Sequence, residues 1–279
     1  MANDWLYIDG GELYAIQNGS GSSFYCKQGG FSFCFGLLKS RVVVGQTISI
    51  PLAQAWTNSS VQNYSIDTQR PVNDGHWSKR PALFYDPLSD KIIQWGGWPY
   101  DNGDLSYSFS FKPNNHGTVT WYKDDTPITN EVDQTSPAIF GAAFVASNSS
   151  FYCFGGSIAE PSANPFTAVP GLIEYEFASD KWTNTSSLSA TASGYLVGGQ
   201  AAFTPDFGQA GFLVFLGGSD PGTQAFDPDG APLLDMSNIT LYDVEQKTWY
   251  HQTTTGTIPP PRQYFCSVGG SSVQDTFEM

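Results

Sequence analysis

The sequence predicts an all-β chain assembled from a repeat of about sixty residues. Three observations predict it. Apolar runs end in Gly-Gly at residues 5–11 (WLYIDGG), 91–97 (KIIQWGG), 151–156 (FYCFGG) and 212–218 (FLVFLGG). After each comes a polar stretch and then an alternating segment, at 47–52 (TISIPL), 105–111 (LSYSFSF), 173–177 (IEYEF) and 239–244 (ITLYDV). A tryptophan follows each time, at Trp56, Trp121, Trp182 and Trp249, with spacings of 65, 61 and 67 residues.

Each element has its own physical reason. The run before Gly-Gly is apolar at nearly every position, which suits a strand covered on both faces. The next segment alternates: Leu105, Tyr107, Phe109 and Phe111 face one way and Ser106, Ser108 and Ser110 the other, as in a strand with one wetter face. The paired glycines allow a turn and a close backbone approach that a side chain would block. Tryptophan in the outer strand supplies a wide apolar surface for packing one sheet on the next. No stretch of comparable length carries a helical period. The repeats fall at about 5–60, 74–124, 136–184 and 195–253, with a partial copy at 259–279, within a single domain spanning 1–279. Residues 262–269 read as a first strand, and pairing with the N-terminal WLYIDGG is expected to place Arg262 beside that edge and close a ring.

At these residues the chain resembles the kelch-repeat β-propellers, the superfamily that includes the central domain of galactose oxidase. The stretches YIDGGEL, AWTNSS and NDGHWS resemble more specifically the fungal, ascomycete-type kelch proteins, many of them secreted. The resemblance implies an all-β propeller with four visible four-stranded blades and a partial fifth repeat. Such propellers host both binding modules and enzymes, so function must be read from the site.

The charge balance narrows the partners. Twelve basic residues against 26 acidic ones give a formal charge of −14, with no Lys/Arg cluster to follow a phosphate backbone, so nucleic acid is excluded as an expected partner. No apolar stretch is long enough to insert in a membrane as a helix. Compartment signals conflict. The start, MANDWLYIDGG, lacks the basic and apolar regions of a signal peptide, yet six N-x-S/T sequons occur, at Asn18, Asn58, Asn63, Asn148, Asn184 and Asn238. Their number favours a secreted or secretory-pathway glycoprotein. Cys26 and Cys34 flank a turn within FYCKQGGFSFCFG and read either as a disulfide across a hairpin or as two buried thiols, whereas Cys153 and Cys266 sit in apolar strands as core residues.

Long segments after Gly-Gly are the expected ligand-binding surface, because loops on a rigid scaffold carry function. The candidates are Trp98, Tyr100, Asp101, Glu160, Phe166, Asp220, Phe226, Asp227 and Asp229. A solvated turn set with an aromatic lid is the plainer reading of the same residues. Asp227-Pro-Asp229-Gly lacks the further oxygen ligands of a calcium loop, and Asx turns account for it. Asp9 and Glu12 form a carboxylate pair near the first glycine turn, a candidate acid and base or a turn cap. A copper-radical centre is not expected, since His76, His116 and His251 fall in elements that should not converge. No metal or cofactor is expected. Two functions follow: a propeller binding a protein, glycan or small ligand through its loop face, or, by resemblance to fungal propellers of that kind, a cofactor-free pericyclase such as a hetero-Diels–Alderase acting on a small hydrophobic molecule. The latter needs only geometry and a well-placed donor, not a recognisable triad.

Overall fold

The structure, a computed structural model, describes residues 4–9, 12–18, 21–26, 38–43, 46–57, 60–69, 78–79, 81–99, 108–124, 139–158, 166–185, 187, 189–223, 225–226, 230–265, 267, 270–271 and 277–278. Among them the only helix is a single 3-10 turn, Val61–Asn63. All sheet pairings among the described residues are antiparallel. The chain divides into two compact units, residues 1–128 and 129–279.

In the first unit a three-stranded sheet joins Trp5–Asp9, Gln46–Pro51 and Ile66–Gln69, with Gln46–Pro51 in the middle. A second sheet has four strands in chain order: Ala82–Asp86, Lys91–Trp95, Phe109–Phe111 and Tyr122–Lys123. Between the first and second strands of the first sheet lies a feature that the polar-loop expectation missed. Glu12–Asn18, Gly21–Cys26 and Leu38–Val43 form a separate three-stranded sheet, whose register slips between Tyr14 and Ile16.

The second unit repeats the four-stranded pattern twice. The third sheet consists of Ala143–Ala146, Ser150–Phe154, Leu172–Glu176 and Lys181–Thr185, and the fourth of Gln200–Thr204, Phe212–Leu216, Asn238–Asp243 and Thr248–Thr253. Strand Ser150–Phe154 is buried at all five positions, while Lys181–Thr185 and Thr248–Thr253 are largely exposed, so burial falls from the inner strands to the outer one. The third and fourth sheets share one core of Tyr152, Phe154, Leu196, Leu213, Phe215 and Tyr242. Phe154 meets Phe215 edge-on at 5.1 Å, and Trp249 of the fourth sheet lies 5.1 Å from Phe154 of the third. Sheet-on-sheet packing by an outer-strand tryptophan is thus observed here.

Two expectations of phase and facing need correction. Trp121, Trp182 and Trp249 all stand at the start of a fourth strand, each against an aromatic of the third: Phe111 at 4.7 Å, Tyr175 at 4.7 Å and Tyr242 at 4.8 Å. Trp56 does not. It lies between the third-strand equivalent Gln46–Pro51 and the fourth-strand equivalent Ile66–Gln69, and it is exposed. The register Ser49↔Ile66 places Ser65, one step further, against Ile50, so a serine fills the position that tryptophan fills elsewhere. Ser110 also departs from the expected wet face: it is 2 % exposed and donates to Asp124 at 2.8 Å. Asp124 also accepts from Ser108 and pairs with Lys91, so the alternation of this strand separates an apolar buried face from a polar buried one.

One part of the C-terminal expectation is corrected: residues 262–265 and 267 lie in no strand, while 266, 268 and 269 lie outside the described residues. Arg262 lies in no strand, and its carbonyl accepts from Gly218 N–H at 2.8 Å within the second unit. Pro259, Pro260 and Pro261 remove three successive backbone donors ahead of it, which disfavours a ladder. Cys26 ends a strand opposite Leu13, but Cys34 and Cys266 lie outside the described residues. Cys153 is a free, fully buried thiol whose ionisation burial disfavours strongly.

Candidate functional site

The glycine turns organise the candidate site in the second unit. Ser150–Phe154 runs into Gly155 and Gly156, and Phe212–Leu216 into Gly217 and Gly218, all four at positive φ. A Cβ on Gly155 would overlap the carbonyl oxygen of Leu196, and one on Gly218 would stand 2.7 Å from the Gly199 nitrogen. Glycine is required there by both conformation and space. The turns make equivalent bonds in successive repeats. Gly156 N–H donates to Leu196 C=O at 2.6 Å and Gly218 N–H to Arg262 C=O at 2.8 Å; Gly198 N–H donates to Gly141 C=O at 2.6 Å and Tyr264 N–H to Gly198 C=O at 2.7 Å. Gly141, Gly198 and Tyr264 share positive φ values of 67, 71 and 52°. Residues 262–264 therefore occupy, against the fourth sheet, the place that 196–198 occupy against the third.

Beyond the turns the chain is not open loop. Ser157–Ile158 pairs with Phe166–Ala168, which pairs with Ala225–Phe226, so segments that follow two different glycine turns share a three-stranded sheet. Phe166 and Phe226 stand opposite each other with rings 6.3 Å apart, and Phe166 meets Phe140 edge-on at 5.7 Å. Beneath them lie Ala168 and Val197, with Tyr195 and Tyr264 packed alongside. Phe226 is 6 % exposed, so its ring fills this apolar layer, while Phe166 is half-buried.

Asp220 is buried at the edge of the same region. Its carboxylate accepts from the N–H of Ser193 at 2.9 Å, from the N–H of Gly222 at 3.0 Å and from the Ser193 hydroxyl. Those bonds hold the segment after the fourth sheet's glycine turn onto the loop at 191–194. Tyr100, Asp101, Glu160, Asp227 and Asp229 lie outside the described residues.

In the first unit, Trp98 is half-buried in a two-residue strand, Trp98–Pro99, paired with Ser78–Lys79. Asp9 ends a relay: the Trp121 indole N–H donates to Thr47 Oγ1 at 2.7 Å, and that hydroxyl donates to Asp9 Oδ1 at 2.7 Å. Thr47 is fully buried, so the Asp9 carboxylate satisfies a hydroxyl that would otherwise lack an acceptor. Glu12 begins the inserted sheet opposite Val43, and its side chain lies outside the described residues. His116 is exposed in a turn, its N–H bonded to Asn114 Oδ1. His251 is exposed on the fourth sheet's outer strand, where Nε2 lies 2.9 Å from the Ser189 carbonyl. His76 lies outside the described residues. Among the described residues no three His, Cys, Asp or Glu side chains gather as a metal site would require, and no helix is long and apolar enough to cross a membrane.

One polar cluster escaped sequence reasoning. Glu174 accepts from Ser150 at 3.0 Å and Tyr152 at 2.9 Å, both of the third sheet, and pairs at 2.5 Å with Lys247, in the hairpin turn of the fourth. Burial, with the Glu174 charge next, pushes the Tyr152 hydroxyl far above the ordinary phenol range; Tyr242 is pushed up to about 12 by burial first and then by Glu174 and Asp243. The signal was the alternation in IEYEF, which turns Glu174 and Tyr175 to opposite faces and so sends a carboxylate toward a sheet-to-sheet contact. Nearby, Phe154, Leu196, Phe215, Leu234, Asp235 and Thr240 line a small cleft of about 30 Å³, enough for a water or two.

Compared with known proteins, the sequence matches no family model and no curated protein. Among solved structures the chain is similar to YjhT, with a TM-score of 0.55 and 15 % identity over 99 % of this chain and 90 % of that one. At that identity the likeness shows the fold alone: YjhT has a kelch-like β-sheet fold, and the all-β content of this chain fits a propeller-like fold of the same kind.

Proposed function

We propose that the chain is a kelch-type propeller that binds a partner protein or a glycan through the segments following its glycine turns. One observation carries the reading: in the second unit these segments are built into an ordered sheet, Ser157–Ile158 with Phe166–Ala168 and Ala225–Phe226, tied to the scaffold by Asp220. Binding residues held on a fixed support lose little conformational entropy when a ligand arrives. Glu160 lies in the stretch joining the first two of these strands, and Asp227 and Asp229 directly follow the third; their carboxylates accept hydrogen bonds from sugar hydroxyls or from basic side chains. The strongly acidic chain adds long-range attraction for a basic partner. The sequon count supports a secretory route, where glycans are abundant.

The test is a glycan array and a partner pull-down run in parallel on the native chain and on a variant combining Glu160→Ala, Asp227→Ala and Asp229→Ala. A ligand retained by the native chain and lost by a variant of unchanged thermal midpoint supports the proposal. Equal retention by both overturns it, and conversion of a small hydrophobic ligand would replace binding by the pericyclase reading.

A further inference from the structure

We propose that Asn148 is an N-glycosylation site, and that the fold accommodates an oligosaccharide there while selecting against one at the neighbouring sequon, Asn184. Asn148 begins the sequon Asn148-Ser149-Ser150 and is exposed between Ala143–Ala146 and Ser150–Phe154 of the third sheet. Asparagine in such a turn commonly uses its side chain to bond the turn's own N–H groups. Here Ser147 has taken that role: its hydroxyl accepts from Ser149 N–H at 3.2 Å and Ser150 N–H at 3.0 Å, and Ser147 N–H donates to Ser150 C=O at 2.8 Å. The turn is further pinned by Phe177 N–H donating to Ser149 C=O at 3.0 Å. Asn148 therefore stands at the apex of a turn held by its neighbours, its carboxamide making no bond within the described residues.

The other sequons with described side chains divide on the same criterion. Asn184 is also exposed, but its Nδ2 donates to Pro170 C=O at 3.3 Å, and its Oδ1 fills the space a Cβ on Gly171 would need. Asn238 likewise spends its carboxamide, with Nδ2 on Ser237 Oγ at 3.1 Å and Oδ1 accepting from Thr253 at 3.4 Å. Asn63, in the 3-10 turn of the first unit, is exposed with its carboxamide unengaged and belongs with Asn148.

Transfer forms a bond from Asn148 Nδ2 to the anomeric carbon of an oligosaccharide carried on a polyisoprenyl pyrophosphate. The anomeric carbon–oxygen bond breaks, the lipid pyrophosphate leaves with the electron pair, and the amide gives up one proton. Timing follows from Ser150, the hydroxyl residue of the sequon. It is 2 % exposed and donates to Glu174 once Ser150–Phe154 has paired with Leu172–Glu176, so the acceptor is open only before the third sheet closes. Asn184 is open at the same stage, but a sugar attached there would have to displace the bond to Pro170 as the same sheet formed, so chains modified there are depleted from the folded, secreted protein.

The experiment is secretion of the full chain, behind a secretory leader, from a eukaryotic host, followed by peptide mapping after amidase release of glycans in heavy-oxygen water. Asn148 is expected to be occupied in most molecules and Asn184 to be essentially unmodified. Asn148→Gln should remove the mass of one oligosaccharide and leave the thermal midpoint of the enzymatically deglycosylated protein unchanged, since the exposed carboxamide makes no hydrogen bond among the described residues. An unmodified Asn148 in the folded, secreted protein, or an Asn184 occupied to the same extent, overturns the proposal.

Discussion

Replacing Trp121 and Trp56 by alanine separates what the sequence makes equivalent and the structure does not. Trp121 is 9 % exposed, packs on Phe111 and shares a core with Tyr7, Ile92 and Val119. A tryptophan side chain buried over about 200 Å² contributes about 5 kcal/mol at roughly 25 cal/mol per Å². Partial collapse of the cavity brings the expected loss for Trp121→Ala to about 3–5 kcal/mol. Trp121→Phe keeps most of the ring surface but removes the N–H that reaches Thr47, so about 1–2 kcal/mol should go with the bond and the smaller ring. Trp56 is 38 % exposed and makes no hydrogen bond or ring contact among the described residues, so Trp56→Ala should cost roughly 1 kcal/mol or less. Urea unfolding followed by far-ultraviolet circular dichroism reads all three without relying on tryptophan fluorescence. A loss at Trp56 as large as that at Trp121 would refute the register that puts Ser65 in the fourth-strand position.

Further outcomes follow from the same contacts. Gly155→Ala should cost about 3 kcal/mol or more, because strain at positive φ is joined by a clash with the Leu196 carbonyl. Gly222→Ala, at a similar φ but with open space around it, should cost only about 1–2 kcal/mol; equal thermal shifts would show that the close approach is not real. The buried Tyr242 hydroxyl has no hydrogen-bond partner among the described residues, so Tyr242→Phe should leave stability equal or higher. Because its folded-state ionisation is pushed up to about 12 from an ordinary value of 10.0, the stability linked to it is intact below pH 10 and is lost as the pH rises toward 12. Denaturant midpoints from pH 9 to 12 should therefore fall less steeply for Tyr242→Phe than for the native chain, and parallel slopes would contradict this. Asp9→Ala should cost about 1–2 kcal/mol and Asp9→Asn less, since the amide oxygen still accepts from Thr47. A larger loss for Asn than for Ala in thermal unfolding would show that the carboxylate does something else.

What was legible in the sequence was whatever chemistry recurs in every copy. Gly155-Gly156 and Gly217-Gly218 could be recognised because a close approach at positive φ leaves glycine no substitute, and Gly96-Gly97 share the positive φ. The inner strands were legible because burial on both faces removes polar residues from a run such as Ser150–Phe154. The inserted sheet over 12–43 was not, since a bulge near Tyr14 breaks the period on which a strand is recognised. Trp56 misled because a tryptophan on a connecting segment falls by spacing where an outer-strand tryptophan is expected, and only hydrogen-bond register distinguishes the two. At the candidate site, Asp220 reads in sequence as a ligand-facing acid. Its partner Ser193 lies 27 residues away, and no local pattern announces such a bond. Glu174 and Lys247, 73 residues apart, were hidden for the same reason.

The interlocking of successive repeats through their glycine turns is tested most directly by hydrogen exchange of four amides, those of Gly156, Gly198, Gly218 and Tyr264, resolved by nuclear magnetic resonance. None of the four lies in a strand, so each would exchange as fast as an open loop if the turns were independent of the neighbouring repeat. Bonded to Leu196, Gly141, Arg262 and Gly198, they should instead exchange as slowly as the core amides of Ser150–Phe154 and Phe212–Leu216. Loop-like exchange at Gly156 and Gly198 would contradict a repeat built sheet upon sheet.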